Sequence, residues 1–366
     1  MRYLLLILCF LYSSNIFAHK SSDSYLSIDI EQQVLSLKWD IALRDLQNVM
    51  NLDLDNNGSI DWGELKQNKS SIFAYSLARL TLTSNKSECK INADNLMINK
   101  RSDGYYAVLY GKGECDKNIE HLAIKYQLFF NVDTQHRGLV KLTSQETDIS
   151  FSFSPDLKQK TFTLTENYTK ETFLHFVSEG IWHIWIGFDH ILFLMSLLLP
   201  AVLLRYQKHW IGVDNFPLAL LEITKIVTAF TVAHSLTLSF VMMGKISLPV
   251  MLVESIIAIS VVIAALNNLF PIISRKRWLL GFIFGLIHGF GFANVLSELS
   301  LSGDSLFTTL LGFNIGVELG QLAIVFVFMP LAYLIRNAWL YQHVLFKFGS
   351  ASIAGMGCIW VFERAL

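Results

Sequence analysis

Residues 173–199 read FLHFVSEGIWHIWIGFDHILFLMSLLL. The run is long and apolar enough to cross a bilayer as a tilted helix, for which about 20 such residues suffice. Set into it are His183, Asp189 and His190. An ionisable side chain in hydrocarbon costs about 3 kcal/mol, so such groups face a protein interior and mark a pathway or site. On a straight helix His183 and His190, seven apart, share a face, with Glu179 one turn outward. Asp189 points roughly 100° away, toward a neighbouring helix, unless Gly187 distorts the backbone.

Working outward, the 366-residue chain is 52% hydrophobic and 16% charged, but unevenly: polar segments dominate before about residue 170 and apolar ones after it. That asymmetry predicts an exported domain over 19–168 followed by a membrane domain over 173–364. The net charge of −1, with no long basic run, excludes a nucleic-acid partner. Arg2, the apolar run from Tyr3 to Tyr12 and SSNIFA ending at Ala18 read as a signal peptide, 1–18, leaving His19 as the mature N-terminus. There a free amine and imidazole on one residue are able to chelate copper, although a solvated terminus is the simpler reading. Cys9 leaves with the signal and Cys358 lies in the last apolar segment; Cys89 and Cys115 stay in the exported domain and are expected to form a disulfide.

In the exported domain Leu35, Leu37, Trp39 and Ile41 alternate with polar residues. Leu122, Ile124, Tyr126, Leu128 and Phe130 do the same, as do Ile149, Phe151 and Phe153. Period two predicts half-buried antiparallel strands and a β-sandwich-like fold. One segment departs from it: DLDNNGSIDWGE, residues 53–64, has the spacing of an EF-hand calcium loop. Asp53, Asp55 and Asn57 take its first, third and fifth places, Gly58 the sharp turn, and Ser59 the carbonyl place. Asp61 acts through water and Glu64 supplies two oxygens. Helix-compatible DIALRDLQNVMNL precedes it and WGELKQNKSSIFAYSLARL follows, so a helix–loop–helix insertion holding a structural Ca²⁺ is expected. His136, in TQHRG, reads as a turn residue.

The second half divides into six expected spans, 173–199, 217–242, 249–271, 278–298, 306–333 and 345–363. Pro200, Pro217, Pro249 and Pro271 stand at their ends, and Pro330 should kink the fifth. Arg205 and Lys208, Arg275, Lys276 and Arg277, and Arg336 lie in alternate loops, against Lys245, Glu298 and Asp304 in the others. The bias makes the basic loops cytoplasmic and the N-terminal domain periplasmic, on an inner-membrane, multi-pass protein. Gly281, Gly285 and Gly289, and Gly312, Gly316 and Gly320, form small-residue stripes for close helix contact.

Counted from the external ends, His183, Asp189, His190, His234, Glu254, His288, Asn294, Asn314, Glu318 and Gln321 fall in one layer some 15 Å thick at 1.5 Å per residue. Glu222 lies near the cytoplasmic end and is outside it. Imidazoles with carboxylates suit Ni²⁺, Zn²⁺, Co²⁺ or Cu²⁺. The same residues could instead hydrogen-bond helices together.

The motifs HIWIGFDHILFL (183–194), FTVAHSLTLS (230–239), VESIIAIS (253–260), FGLIHGFGFA (284–293) and FNIGVELGQL (313–322) resemble the HupE/UreJ family of membrane proteins, in the branch with an extracytoplasmic N-terminal extension. The resemblance implies a nickel-type permease whose H-x5-DH motif falls on His183, Asp189 and His190. Two departures stand out: Ile184 replaces the proline that commonly follows the first histidine, and the second permease motif is reduced to His288–Gly289.

The leading expectation is thus a divalent transition-metal permease, a transporter and not an enzyme, in a lipid bilayer. An intramembrane zinc hydrolase, with Glu254 or Glu318 as base, is one alternative. The other is a membrane-anchored assembly protein whose exported domain binds a partner that the sequence does not name.

Overall fold

A computed structural model describes residues 22–101, 104–144, 148–166, 168–207, 209–273, 276–297 and 303–365. The signal peptide expected over 1–18 falls outside these, as do His19, Lys208, Arg275 and Glu298 and the side chains of Asn294 and Asp304.

The N-terminal half is β-rich, as the alternation predicts. Strands β1 (Asp23–Glu31), β2 (Val34–Ala42), β5 (Lys90–Arg101), β6 (Gly104–Glu114), β8 (Arg137–Thr143) and β9 (Asp148–Phe153) form one sheet in the order β5-β6-β2-β1-β8-β9. Within it β1 pairs with β8 in parallel. Strands β3 (Leu80–Ser84), β4 (Ser87–Glu88), β7 (His121–Tyr126) and β10 (Gln159–Thr163) form the second, in the order β10-β7-β3-β4. A single core joins the two, with Leu35, Trp39 and Phe153 from one and Leu82, Ile124 and Phe162 from the other. Cys89 and Cys115 are disulfide-bonded within it.

Two local expectations are corrected. The alternation through Phe130 overruns its strand: β7 stops at Tyr126, and Phe129 takes φ +58° in a turn that buries Leu128, Phe129 and Phe130. Before the acidic loop Asp40–Ala42 belong to β2, leaving a helix α1 of only Leu43–Gln47. Sheet pairing to Tyr106, Ala107 and Val108 outweighs their helix propensity. After the loop come α2 (Trp62–Gln67) and α3 (Lys69–Leu77).

The C-terminal half is helical: α4 (Thr169–Ile186), α5 (Phe188–Leu198), α6 (Phe216–Met242), α7 (Val250–Leu269), α8 (Arg277–Ser297), α9 (Gly303–Ile335), a π-helical segment Leu340–Phe348 and α10 (Gly349–Ala365). A short hairpin of β11 (Leu203–Tyr206) and β12 (His209–Gly212) separates α5 from α6. Among the described residues, α6, α7, most of α9 and the run Leu340–Arg364 are each long and apolar enough to cross a membrane; α4 with α5 adds a fifth candidate, while the apolar stretch Arg277–Ala293 is shorter. The chain is a multi-pass membrane protein. Pro330 lies inside α9, which continues past it to Ile335.

The small-residue stripes set the helix seams. A Cβ on Gly281 or Gly289 would stand 2.7 Å from the Ile226 carbonyl oxygen or 2.6 Å from that of His234, so α8 lies directly on the α6 backbone. Gly312 is as close to the Phe173 carbonyl, at 2.6 Å, and Gly316 faces the Val177 carbonyl while Gly180 faces that of Phe313. Side chains at these places would hold the backbones apart.

The β-rich half packs on the end of the bundle where α4 begins. Tyr25, Ala42, Tyr106 and Leu139 share an apolar cluster with Phe176, Leu310, Phe313 and Val317. Arg137 lies 3.6 Å from Glu179, Lys160 lies 2.6 Å from Glu171, and His175 stacks on Phe151 with centroids 4.1 Å apart.

Candidate functional site

The quoted span is not one straight helix. Helices α4 and α5 meet at an angle of 72°. Gly187 between them has extended angles, φ −76° and ψ 97°. A Cβ there would lie 2.7 Å from His190 Nδ1 and 2.8 Å from the His183 carbonyl oxygen. Glycine therefore lets the imidazole fold back over the break. The bend also brings Asp189 into the site, which a straight helix forbids: its Oδ1 lies 3.0 Å from His190 Nδ1.

Three imidazoles cluster at this break. The His183 and His190 rings are 4.6 Å apart, and those of His190 and His288 are 5.3 Å apart. His234 is set beside them by Phe230, whose ring contacts both His234 and His288. His190, His234 and His288 are buried and His183 is half-buried. Phe292 and Phe313, stacked 4.2 Å apart, close over His183 on the side facing the β-rich domain.

Partners fix which nitrogen carries hydrogen in two of the rings. Ser260 donates to the Ile257 carbonyl over 2.7 Å, so its oxygen accepts from His288 Nε2 at 3.0 Å. The amide nitrogen of Asn314 donates to Leu310 over 2.8 Å, so its oxygen faces His234 Nδ1 at 3.3 Å. The other nitrogen of these rings, His288 Nδ1 or His234 Nε2, keeps a lone pair. The Asp189 carboxylate accepts from the His190 backbone amide over 2.9 Å and lies 3.0 Å from the ring's Nδ1. His288 Nδ1, His234 Nε2, His183 Nε2 and both ring nitrogens of His190 are buried without a hydrogen-bond partner among the described residues. Buried polar atoms rarely go unmatched, and imidazoles oriented from behind by oxygens are the usual preparation for binding a divalent metal.

The remaining predicted residues form a ladder between α6 and α9. Beyond His234 and Asn314, Thr231 donates to Gln321 over 3.0 Å and Thr228 to Glu318 Oε1 over 2.6 Å. Glu318 Oε2 has no partner among the described residues. Glu254 is half-buried and offers its carbonyl to Arg364 Nη1 at 3.4 Å. Sequence reasoning missed Ser260 and Arg364. Ser260 closes the motif VESIIAIS, and its pairing with His288, 28 residues on, needs the fold. Arg364 meets Asp189 and the Glu254 carbonyl, partners distant in sequence.

A second, hard-oxygen cluster lies in the β-rich half. Among the described residues, Asp53, Asp55 and Glu64 alone bring three donor atoms within 4.8 Å of one another; the imidazole nitrogens neighbour each other without converging so tightly. The loop is wound by backbone amides: Gly58, at φ +82°, donates to Asp53 Oδ2 over 2.9 Å, and Leu54 donates to Glu64 Oε1 over 2.7 Å. Asp61 accepts from the Glu64 amide over 2.8 Å as the cap of α2. Asn57 accepts from the Ser59 amide, also over 2.8 Å.

His136 closes a turn, as expected, its amide donating to the Asp133 carbonyl over 3.4 Å, and its ring points inward. It is fully buried, with Ser22 Oγ 2.5 Å from Nδ1 and Tyr126 Oη 3.1 Å from Nε2. Burial, aided by the Arg137 charge, lowers its pKa to about 3. A neutral core imidazole pins β8 against β7.

Compared with known proteins, residues 158–364, more than half of the chain, match the family described as HupE / UreJ protein. No curated protein matches the chain.

Proposed function

The chain belongs to the HupE/UreJ family, and from that premise we propose that it is a permease for a divalent transition-metal ion of the nickel type. The observation that carries the reading is the set of buried imidazole nitrogens, His183 Nε2, His190 Nε2, His234 Nε2 and His288 Nδ1, that have no hydrogen-bond partner among the described residues. Borderline ions such as Ni²⁺, Co²⁺, Zn²⁺ and Cu²⁺ favour nitrogen donors of this kind. His183, His190 and His288 bind the cargo, Asp189 supplies charge, and His234 with Asn314 continues the path. Glu318 and Glu254 line it further along. The donors are close but not converged, which suits a passing ion better than a resident zinc, whose site holds three protein ligands at fixed positions.

In this reading the bundle has six spans, with α4 and α5 counted as one and α8 included. The β-rich domain is exported behind the signal peptide, and the loops with Arg205, Arg277 and Arg336 face the cytoplasm. With the inside negative, a dication gains about 4.6 kcal/mol per 100 mV on entry.

The acidic loop is a calcium site. Asp53, Asp55 and Glu64 hold the ion, and Asn57, Ser59 and Asp61 complete the shell. The convergence of three carboxylates supports it. Bound calcium cross-links the loop and stabilises the insertion.

Cellular Ni²⁺, Co²⁺, Zn²⁺ and Cu²⁺ should be measured with the wild type and the double variant His183→Ala/His190→Ala. Accumulation of at least one ion should depend on the wild type and be lost in the variant. Unchanged levels of all four would refute the reading.

A further inference from the structure

Arg364, in the last turn of α10, reaches Asp189 beside the imidazole cluster. Its Nη2 lies 3.7 Å from Asp189 Oδ2, both side chains being 19% exposed. Nη1 donates to the Glu254 carbonyl over 3.4 Å, and the Ser255 hydroxyl approaches the Arg364 carbonyl at 3.3 Å. The other oxygen of Asp189 lies against His190. The carboxylate beside the imidazoles is therefore shared with a fixed cation.

A positive side chain is an odd companion for a cation site, because it repels the cargo. It has to move, and its position at a helix end gives it that freedom.

Building on the permease reading, we propose that Arg364 is a specificity-determining residue, a tethered cation that occupies Asp189 between transport events and is displaced by an incoming divalent ion. A monovalent ion that displaced it would exchange one unit charge for another and lose the guanidinium's hydrogen bond to the Glu254 carbonyl. A divalent transition metal brings twice the charge and accepts the imidazole lone pairs, which Na⁺ and K⁺ use poorly. When the ion leaves, the guanidinium returns to Asp189 and opposes rebinding. Conduction needs binding firm enough to admit an ion and weak enough to release it.

A purely structural arginine makes the opposite prediction. If Arg364 only held Asp189 in place behind His190, its removal would loosen the site and weaken binding. The sign of the change separates the two.

The test is equilibrium dialysis of Ni²⁺, Co²⁺ and Zn²⁺ against the full chain purified in detergent, as wild type, Arg364→Gln, Arg364→Lys and His190→Ala. Removing a unit charge this near should tighten binding about tenfold in Arg364→Gln, while Arg364→Lys stays near the wild type. Should Arg364→Gln fail to fold, Arg364→Met provides the same neutral test with the apolar stem kept. Binding to the neutral variant that is unchanged or weaker overturns the proposal. If His190→Ala still weakens binding in that case, the permease reading stands without the tethered cation. If neither the wild type nor the neutral variant binds any of the three ions, both fall.

Discussion

His288 Nε2 stands 3.0 Å from Ser260 Oγ, and the serine's hydrogen is committed to the Ile257 carbonyl. One hydroxyl on α7 thus decides which nitrogen of an imidazole on α8 faces the cluster. Ser260→Ala frees the ring to take either tautomer or rotate. Loss of such a supporting contact typically costs 10–100-fold in metal affinity, roughly. Dialysis of Ni²⁺, Co²⁺ and Zn²⁺ should show that loss in Ser260→Ala and much less of it in Ser260→Thr, which keeps the hydroxyl.

Gly187 makes a second, steric demand. An alanine Cβ would press on His190 Nδ1 and the His183 carbonyl, and such overpacking costs about 1–3 kcal/mol. Gly187→Ala should lower the Tm in detergent and abolish metal-dependent accumulation. Gly355→Ala, at a position with open space around it, should do neither. Equal behaviour of the two variants would show that the break does not hold the imidazole in place.

The acidic loop predicts a calcium effect confined to the β-rich half. With a single loop of this kind, Kd should be on the order of 10⁻⁴ to 10⁻³ M. Millimolar Ca²⁺ should raise the Tm of the wild type, and Glu64→Gln should cancel the rise. A rise of equal size in Glu64→Gln would place the ion elsewhere.

His136 gives a pH signature. Its folded pKa, about 3, lies below the unfolded value near 6.5. The unfolded chain therefore binds the extra proton first, and stability falls as pH drops through the window from 6.5 toward 3. The slope is about 1.4 kcal/mol per pH unit. Asp45, bonded to Ser22 in the same network, has its pKa raised by burial, and that contribution is lost in the opposite direction, as pH rises past its unfolded value near 3.8. Denaturant unfolding should show this slope in the wild type and a flatter one in His136→Gln.

These residues also show what the sequence makes legible. Period-two alternation at Leu35, Leu37, Trp39 and Ile41 records burial on one face of a sheet, and it is visible without the fold. Four-residue spacing of glycines likewise reports helix contact, and both stripes meet a neighbouring backbone. The depths of His183, His190 and His288 follow from rise per residue, so their meeting was readable. What escaped depends on backbone geometry or distant partners. A straight helix turns Asp189 away, and only the 72° break restores it. Arg364 reaches Asp189 across 175 positions of sequence, and no local pattern encodes that contact. The polar run TQHRG does not show that the His136 ring is buried, because Tyr126, Phe129 and Phe130 surround it only in space.

The most direct test of the central claim is uptake of Ni²⁺, Co²⁺, Zn²⁺ and Cu²⁺ by proteoliposomes under an inside-negative potential, with the wild type beside His190→Ala/His288→Ala. The account predicts saturable uptake of at least one ion by the wild type and none above empty vesicles by the double variant. Equal uptake by both proteins, or uptake of none of the four by the wild type, would contradict it.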